Sequence, residues 1–287
     1  MNTRVGVVAT VILALSALSL SGCTSAPPPG DDIAVEIYQT RPDQGDRRLE
    51  ISVTNTSDEP MTITRVEFAS TQFAEPTAWQ KDSTRVGAQL TVDLPVQLPA
   101  ADCGDGAITA TVTIDYAIGD GPTQTVEVSP VDRNLRMEAL KVEDCLGVQL
   151  ADHVEVAIAT LPRVVTKHGR TVAELDVRLS PTGAHGSVSI DAALSTVLLS
   201  VADPGSGQNA ASFPLGVTVD ARSEPRTVTL ELVPARCDPH AVAEDKRGTI
   251  MPFSITLADG TSGTVFIPAS PEVKAALLDF VGVACGS

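Results

Sequence analysis

The chain has 287 residues, with 36 acidic side chains against 20 basic ones and a formal net charge of −16. So acidic a surface repels phosphate backbones, which argues against nucleic-acid binding. Aromatic residues make up 3% of the chain, which weakens a sugar-binding reading built on stacked rings.

The N-terminus reads Met1-Asn2-Thr3-Arg4 and then runs apolar from Val5 to Leu20, broken only by small residues, threonine and serine. One positive charge before a short apolar run is the layout of a secretory signal peptide. The run falls short of the roughly 20 residues a relaxed membrane-spanning helix needs. It ends in Leu20-Ser21-Gly22-Cys23. These four residues resemble the bacterial lipobox, an apolar and two small residues before a cysteine. The resemblance covers residues 1–23 and implies that Cys23 receives a diacylglyceryl group, with cleavage in front of it. The expected product sits outside the cytoplasm, lipid-anchored to the outer face of the cell membrane, and no cofactor is expected beyond that covalent lipid. Residues 24–32 read TSAPPPGDD; three prolines in a row favour an extended polyproline II spacer rising about 3.1 Å per residue.

With Cys23 acylated, four cysteines remain: Cys103, Cys145, Cys237 and Cys285. An even number outside the cytoplasm reads as disulfides, and four cysteines allow three pairings. An internal repeat chooses among them. Ile33 to Tyr38 is answered by Val154 to Ala159, and Leu49 to Thr54 by Leu175 to Ser180, each with the period-2 alternation of a half-buried strand. Polar turns follow, and strands return as Met61 to Phe68 and Val188 to Leu194. Leu98-Pro99-Ala100 leads to Cys103, as Val233-Pro234-Ala235 leads to Cys237. Hairpins come next, turning at Gly119-Asp120-Gly121 and at Asp259-Gly260, where glycine supplies the positive φ of a tight turn. Each hairpin ends in Ser-Pro (Ser129-Pro130 and Ser270-Pro271), a helix-start signal, and each following segment ends in a cysteine. The order is kept throughout with only loop-sized insertions, so the expected bridges are Cys103–Cys145 and Cys237–Cys285, each worth about 2–4 kcal/mol.

Regularly spaced strands with polar turns predict an all-β fold of two tandem antiparallel sandwiches, each with one disulfide and a short helix-like segment near its end. The expected division is a leader over 1–22, a lipidated tether over 23–32, and sandwich domains over 33–150 and 151–287. The stretch Leu49 to Phe68, with Val53-Thr54-Asn55-Thr56 closing a strand before a tight turn, resembles bacterial immunoglobulin-like domains in layout; no specific family is implied. Asn55-Thr56-Ser57 reads as turn chemistry rather than a glycan acceptor.

No catalytic or metal constellation stands out. His153, His168, His185 and His240 share no ligand spacing, and a disulfide at Cys237 removes the thiolate from the group formed with Asp238, His240, Glu244 and Asp245. Gly260-Thr261-Ser262-Gly263 sets its glycines one residue too close for a nucleophile elbow. Asp102, Asp105, Asp115 and Asp120 read as solvated turn residues rather than a calcium loop. Tyr38, Phe73 and Trp79 are the candidate contact patch. The expectation is a non-enzymatic interaction or structural module, membrane-held by its lipid and facing an envelope protein or polymer. The alternatives are a surface hydrolase with a site built from distant loops and a solute-binding lipoprotein of a transporter.

Overall fold

A computed structural model describes residues 31–238 and 247–286. Leu20, Ser21, Gly22 and Cys23 lie outside the described residues, as do His240, Glu244 and Asp245.

The first half is built from β1 (Ile33–Tyr38), the short helix α1 (Arg41–Asp46), β2 (Arg48–Asn55), β3 (Met61–Ser70), β4 (Thr77–Ala78), β5 (Thr84–Val86), β6 (Thr91–Gln97), β7 (Ala110–Ile118), β8 (Gln124–Val128) and β9 (Val131–Asp132). One sheet runs β6-β2-β1-β9; the facing sheet runs β4-β3-β7-β8, with β5 also on β3. All pairings are antiparallel except β1 with β9. Alternation decides which side chains meet between the sheets: along β1, Ile33, Val35 and Ile37 are buried while Ala34, Glu36 and Tyr38 face outward. Leu49, Ile51, Met61, Ile63, Phe68 and Tyr116 fill the same core.

The second half follows the helix α2 (Arg136–His153) and holds β10 (Val154–Ala157), β11 (Arg163–Lys167), β12 (Arg170–Pro181), β13 (Ser187–Leu194), β14 (Leu199–Ala202), β15 (Asn209–Ala210), β16 (Ser212–Asp220), β17 (Arg226–Pro234), β18 (Ile250–Leu257), β19 (Ser262–Pro268) and the helix α3 (Pro271–Cys285). Its sheets run β10-β12-β17-β14-β15, with β11 on β12, and β16-β13-β18-β19. The pairing repeats that of the first half. β1-β2-β6 corresponds to β10-β12-β17, and β3-β7-β8 to β13-β18-β19. Two sheets whose strands cross between them in this order form an immunoglobulin-like sandwich, and the chain contains two.

Cys103 is bonded to Cys145 and Cys237 to Cys285, with Cα atoms 5.6 and 5.4 Å apart. Each bridge joins the loop leading into the seventh-strand position, β7 or β18, to the helix that closes its half. They staple helices, unlike the sheet-to-sheet disulfide of antibody domains.

The two Ser-Pro signals part company. Ser270 caps α3: its Oγ accepts from Val273 N–H, and Pro271 is the first helical residue. Ser129-Pro130 starts no helix. Val131 and Asp132 instead add to β1 as β9, and Asn134 and Leu135 turn through left-handed conformations. Helix α2 then begins at Arg136, its first turn held by the Asp132 carboxylate, which accepts from the N–H groups of Arg136 and Met137 at 2.9 Å each.

Helix α2 serves both halves. Met137 and Leu140 belong to the first core, whereas Leu146 and Leu150 belong to the second. The expected boundary between residues 150 and 151 therefore falls inside a helix.

A cleft between the two halves as candidate binding site

The three aromatic side chains read from the sequence as a contact patch do not form one. Phe73 and Trp79 are 6% and 8% exposed and sit in the first core. Phe73 meets Phe68 edge-on at 6.2 Å between ring centroids. The N–H of Trp79 donates to the Val66 carbonyl at 3.0 Å, which draws this apparently loop-like stretch against β3 and turns the indole inward. Tyr38 stands alone on the outer face of the other sheet, with the Arg133 guanidinium 4.3 Å above its ring. Burial and a hydrogen bond to Asp93 push its phenol up to about 12.

Two of the four aspartates considered for calcium make local contacts. Asp102 accepts from Gly104 N–H, and Asp115 accepts from Thr125 Oγ1 at 2.6 Å. Among the described residues no group of three or more His, Cys, Asp or Glu side chains is placed to hold a metal ion. Ser262 opens β19 directly after the hairpin turn at Gly260, whose φ is 87°. Asn55 is fully buried and its side chain closes the turn: Nδ2 donates to the carbonyls of Glu59, Val86 and Gly87, while Oδ1 accepts from Ser57 N–H and Oγ.

What the fold does assemble is a cleft of about 680 Å³ between the halves. From the first half it takes the α1 end (Gln39, Gln44, Arg47) and the segment Leu98 to Ala101; helix α2 supplies one wall, and Arg247 with β19 the other. Three guanidiniums point into it. Arg47 pairs with both carboxylate oxygens of Asp144 and donates to the Pro99 carbonyl at 3.0 Å. Arg136 grips Glu143 through two bonds of 3.0 and 2.8 Å, and its Nε donates to Gln39 Oε1 at 2.5 Å. These forked pairs fix both partners, since a planar guanidinium matches a carboxylate with two parallel bonds.

Arg247 differs from the other two. Its Nη1 donates to Gln44 Oε1 across the cleft, and its guanidinium lies 4.4 Å from the centroid of the Phe266 ring. Among the described residues no carboxylate stands within ion-pair distance of it. Burial pulls its pKa down from the ordinary guanidinium value; the charge of Glu143 works against that shift and the charge of Arg136 adds to it. Glu155 also lines the cleft, exposed to solvent. Val148 and Phe266, 43% and 38% exposed, add open apolar surface on opposite walls.

None of the described residues lining the cleft is a serine, threonine, cysteine, histidine or lysine. The lining offers hydrogen-bond donors, fixed charge and apolar surface, which suit holding a ligand.

No protein-family model matches this chain, and no curated protein matches it. Among solved structures it is similar to the YadV chaperone, at 11% identity over 82% of this chain and 100% of that one, with a TM-score of 0.23. It is similar also to the Pseudomonas aeruginosa CupB2 chaperone, at 10% identity over 79% and 95% of the two chains, TM-score 0.23. Red sea bream transglutaminase scores alike, at 11% identity and a TM-score of 0.24, over 83% of this chain and 31% of that one. Chaperones and a transglutaminase at near-equal scores carry no activity or partner over to this chain.

Proposed function

We propose that this protein is an extracytoplasmic module, anchored to the cell membrane through diacylglyceryl-modified Cys23, that binds a partner in the envelope rather than transforming one. The two domains of the reading are 33–150 and 151–287, with α2 shared at their junction. The observation that carries it is the pair of within-half disulfides. Such bridges persist in oxidising compartments and not in a reducing cytoplasm, which agrees with an exported chain and a lipobox ahead of a proline-rich tether. The Cys103–Cys145 bridge also holds α2, one wall of the junction cleft, in place, as a recognition surface needs.

Expression in a bacterium with labelled palmitate tests the anchor. Wild type should take up label and sediment with membranes, and Cys23→Ala should do neither. A wild-type chain that stays unlabelled and soluble sinks the anchoring. Chemical crosslinking on intact envelopes tests the rest: a reproducible crosslinked partner supports a binding role, and repeated recovery of none counts against it.

A further inference from the structure

We infer that the cleft between the halves is a binding site for a small organic monocarboxylate with an apolar body, its carboxylate held by Arg247. The site does not depend on the lipid anchor.

Two of the three cleft arginines can be followed to a counter-charge. Arg47 is met by Asp144 and Arg136 by Glu143, each through two bonds. Glu143 is thus already engaged, and what reaches Arg247 from it is field rather than contact. A guanidinium carries five N–H donors and stays charged in proteins. For Arg247 one donor is used on Gln44 and one face of the plane is stacked on Phe266. Partial burial and the neighbouring Arg136 both work against that charge. An incoming anion supplies compensation that no described carboxylate gives by contact, and the planar fork favours a carboxylate taken through two bonds.

The surroundings narrow the ligand further. Glu143, Asp144 and Glu155 lie in the same cleft, so a dianion meets more repulsion than a singly charged group. Beyond Arg247 the exposed surfaces of Phe266 and Val148 face the same space. A volume of about 680 Å³ is in the range of small-molecule sites, which pair a mostly apolar lining with a few placed polar groups. Anchoring at Arg247 with chain or ring on Phe266 and Val148 uses both features.

The test is calorimetric titration of the full disulfide-bonded chain with octanoate, octan-1-ol and inorganic phosphate. Octanoate should bind saturably at one site, with octanol and phosphate each weaker by about tenfold or more. Arg247→Gln should weaken octanoate by a similar factor or more. Arg247→Lys keeps the charge but not the fork, so it should fall between wild type and the glutamine variant. Melting curves and non-reducing peptide maps establish that each variant is folded. Should Arg247→Gln fail to fold, Phe266→Ala serves instead and should weaken octanoate about tenfold, since it removes the apolar surface that the hydrocarbon chain would cover. Absence of octanoate binding to the folded wild type overturns the assignment. So does equal affinity in Arg247→Gln, equal affinity for phosphate, or a Phe266→Ala variant that binds octanoate as wild type does.

Discussion

Leu146 of α2 lies so close over Gly263 of β19 that a Cβ added to the glycine would come within 2.5 Å of the leucine Cδ1. The helix is stapled to the first half through Cys145, whereas β19 closes a sheet of the second. Leu146 is 3% exposed and has no solvent to swing into. Gly263→Ala should therefore overpack the junction and cost about 1–3 kcal/mol. Leu146→Ala, by cavity formation, should cost about 2–5 kcal/mol. Because the smaller side chain makes room for the new methyl, the double variant should cost less than the two single costs added. Denaturant unfolding of all four proteins measures the coupling, and strict additivity would show that the residues do not touch.

The two disulfides should not be equivalent. Cys103–Cys145 closes a separation of 42 residues and Cys237–Cys285 one of 48, so loop entropy alone predicts nearly equal contributions of about 2–4 kcal/mol each. Their helices differ in what they touch. α3 packs Val273, Leu277, Phe280 and Val281 into the second core only, while α2 reaches both. Replacing Cys103 and Cys145 by serine should raise amide hydrogen exchange in both halves. Replacing Cys237 and Cys285 should raise it only in the second. Exchange confined to the first half in the Cys103/Cys145 variant would show that α2 does not couple the two.

Much of the fold was legible because its signals are local. Alternation along Ile33 to Tyr38 and the glycine of Asp259-Gly260 act within a few residues, and the parallel order of the halves chose the cysteine pairs. What failed depended on distant neighbours. Ser129-Pro130 and Ser270-Pro271 are the same dipeptide. The first is followed by Val131, which finds the open edge of β1, so the chain extends before it coils. Phe73 and Trp79 look displayed because their surrounding strands are only bridge-length, yet β3 supplies the backbone partner that turns the indole inward. The cleft left no trace at all. Arg247 and Gln44 stand 203 residues apart in the chain, and isolated arginines on an acidic protein carry no pattern of spacing.

Cutting the chain at 150/151 should not release two sound domains. A second-half piece starting at residue 151 lacks Leu146 and Leu150, each 3% exposed in the whole protein, and loses about 2–5 kcal/mol for each emptied position. A piece starting at residue 136 keeps α2 and both side chains. The longer piece should show the sharper, higher melting transition by circular dichroism. Equal transitions would mean that α2 belongs to the first half alone.

Asn55 predicts a large loss from a small change. Its side chain is the partner of three backbone carbonyls and of Ser57, with no exposed surface. Asn55→Ala leaves those buried groups unpaired, at a cost of about 2–4 kcal/mol. Asn55→Asp keeps the acceptor toward Ser57 but brings a charge where donors are needed, so it should be no better than alanine. Chemical denaturation settles both, and a loss below about 0.5 kcal/mol for alanine would mean that the turn holds without the side chain.

Glu50 sets a pH dependence of opposite sign to that of an ordinary ion-paired carboxylate. Burial holds its pKa above the usual range; Asp43 and Asp93 raise it further, and only Arg48 lowers it. One of its oxygens, Oε2, is buried without a hydrogen-bond partner. A carboxyl whose pKa is raised by folding favours the native state below its unfolded value, and that contribution is lost as pH rises through the folded value. At neutral pH the ionised group therefore works against the fold. Glu50→Gln removes the charge and should raise the melting temperature by roughly 1–3 °C at pH 7. As pH falls through the raised pKa, wild-type Glu50 takes up its proton in the native state and the two melting temperatures should converge. A variant that melts lower than wild type at pH 7 would mean that attraction to Arg48 outweighs burial and the repulsion of the two aspartates.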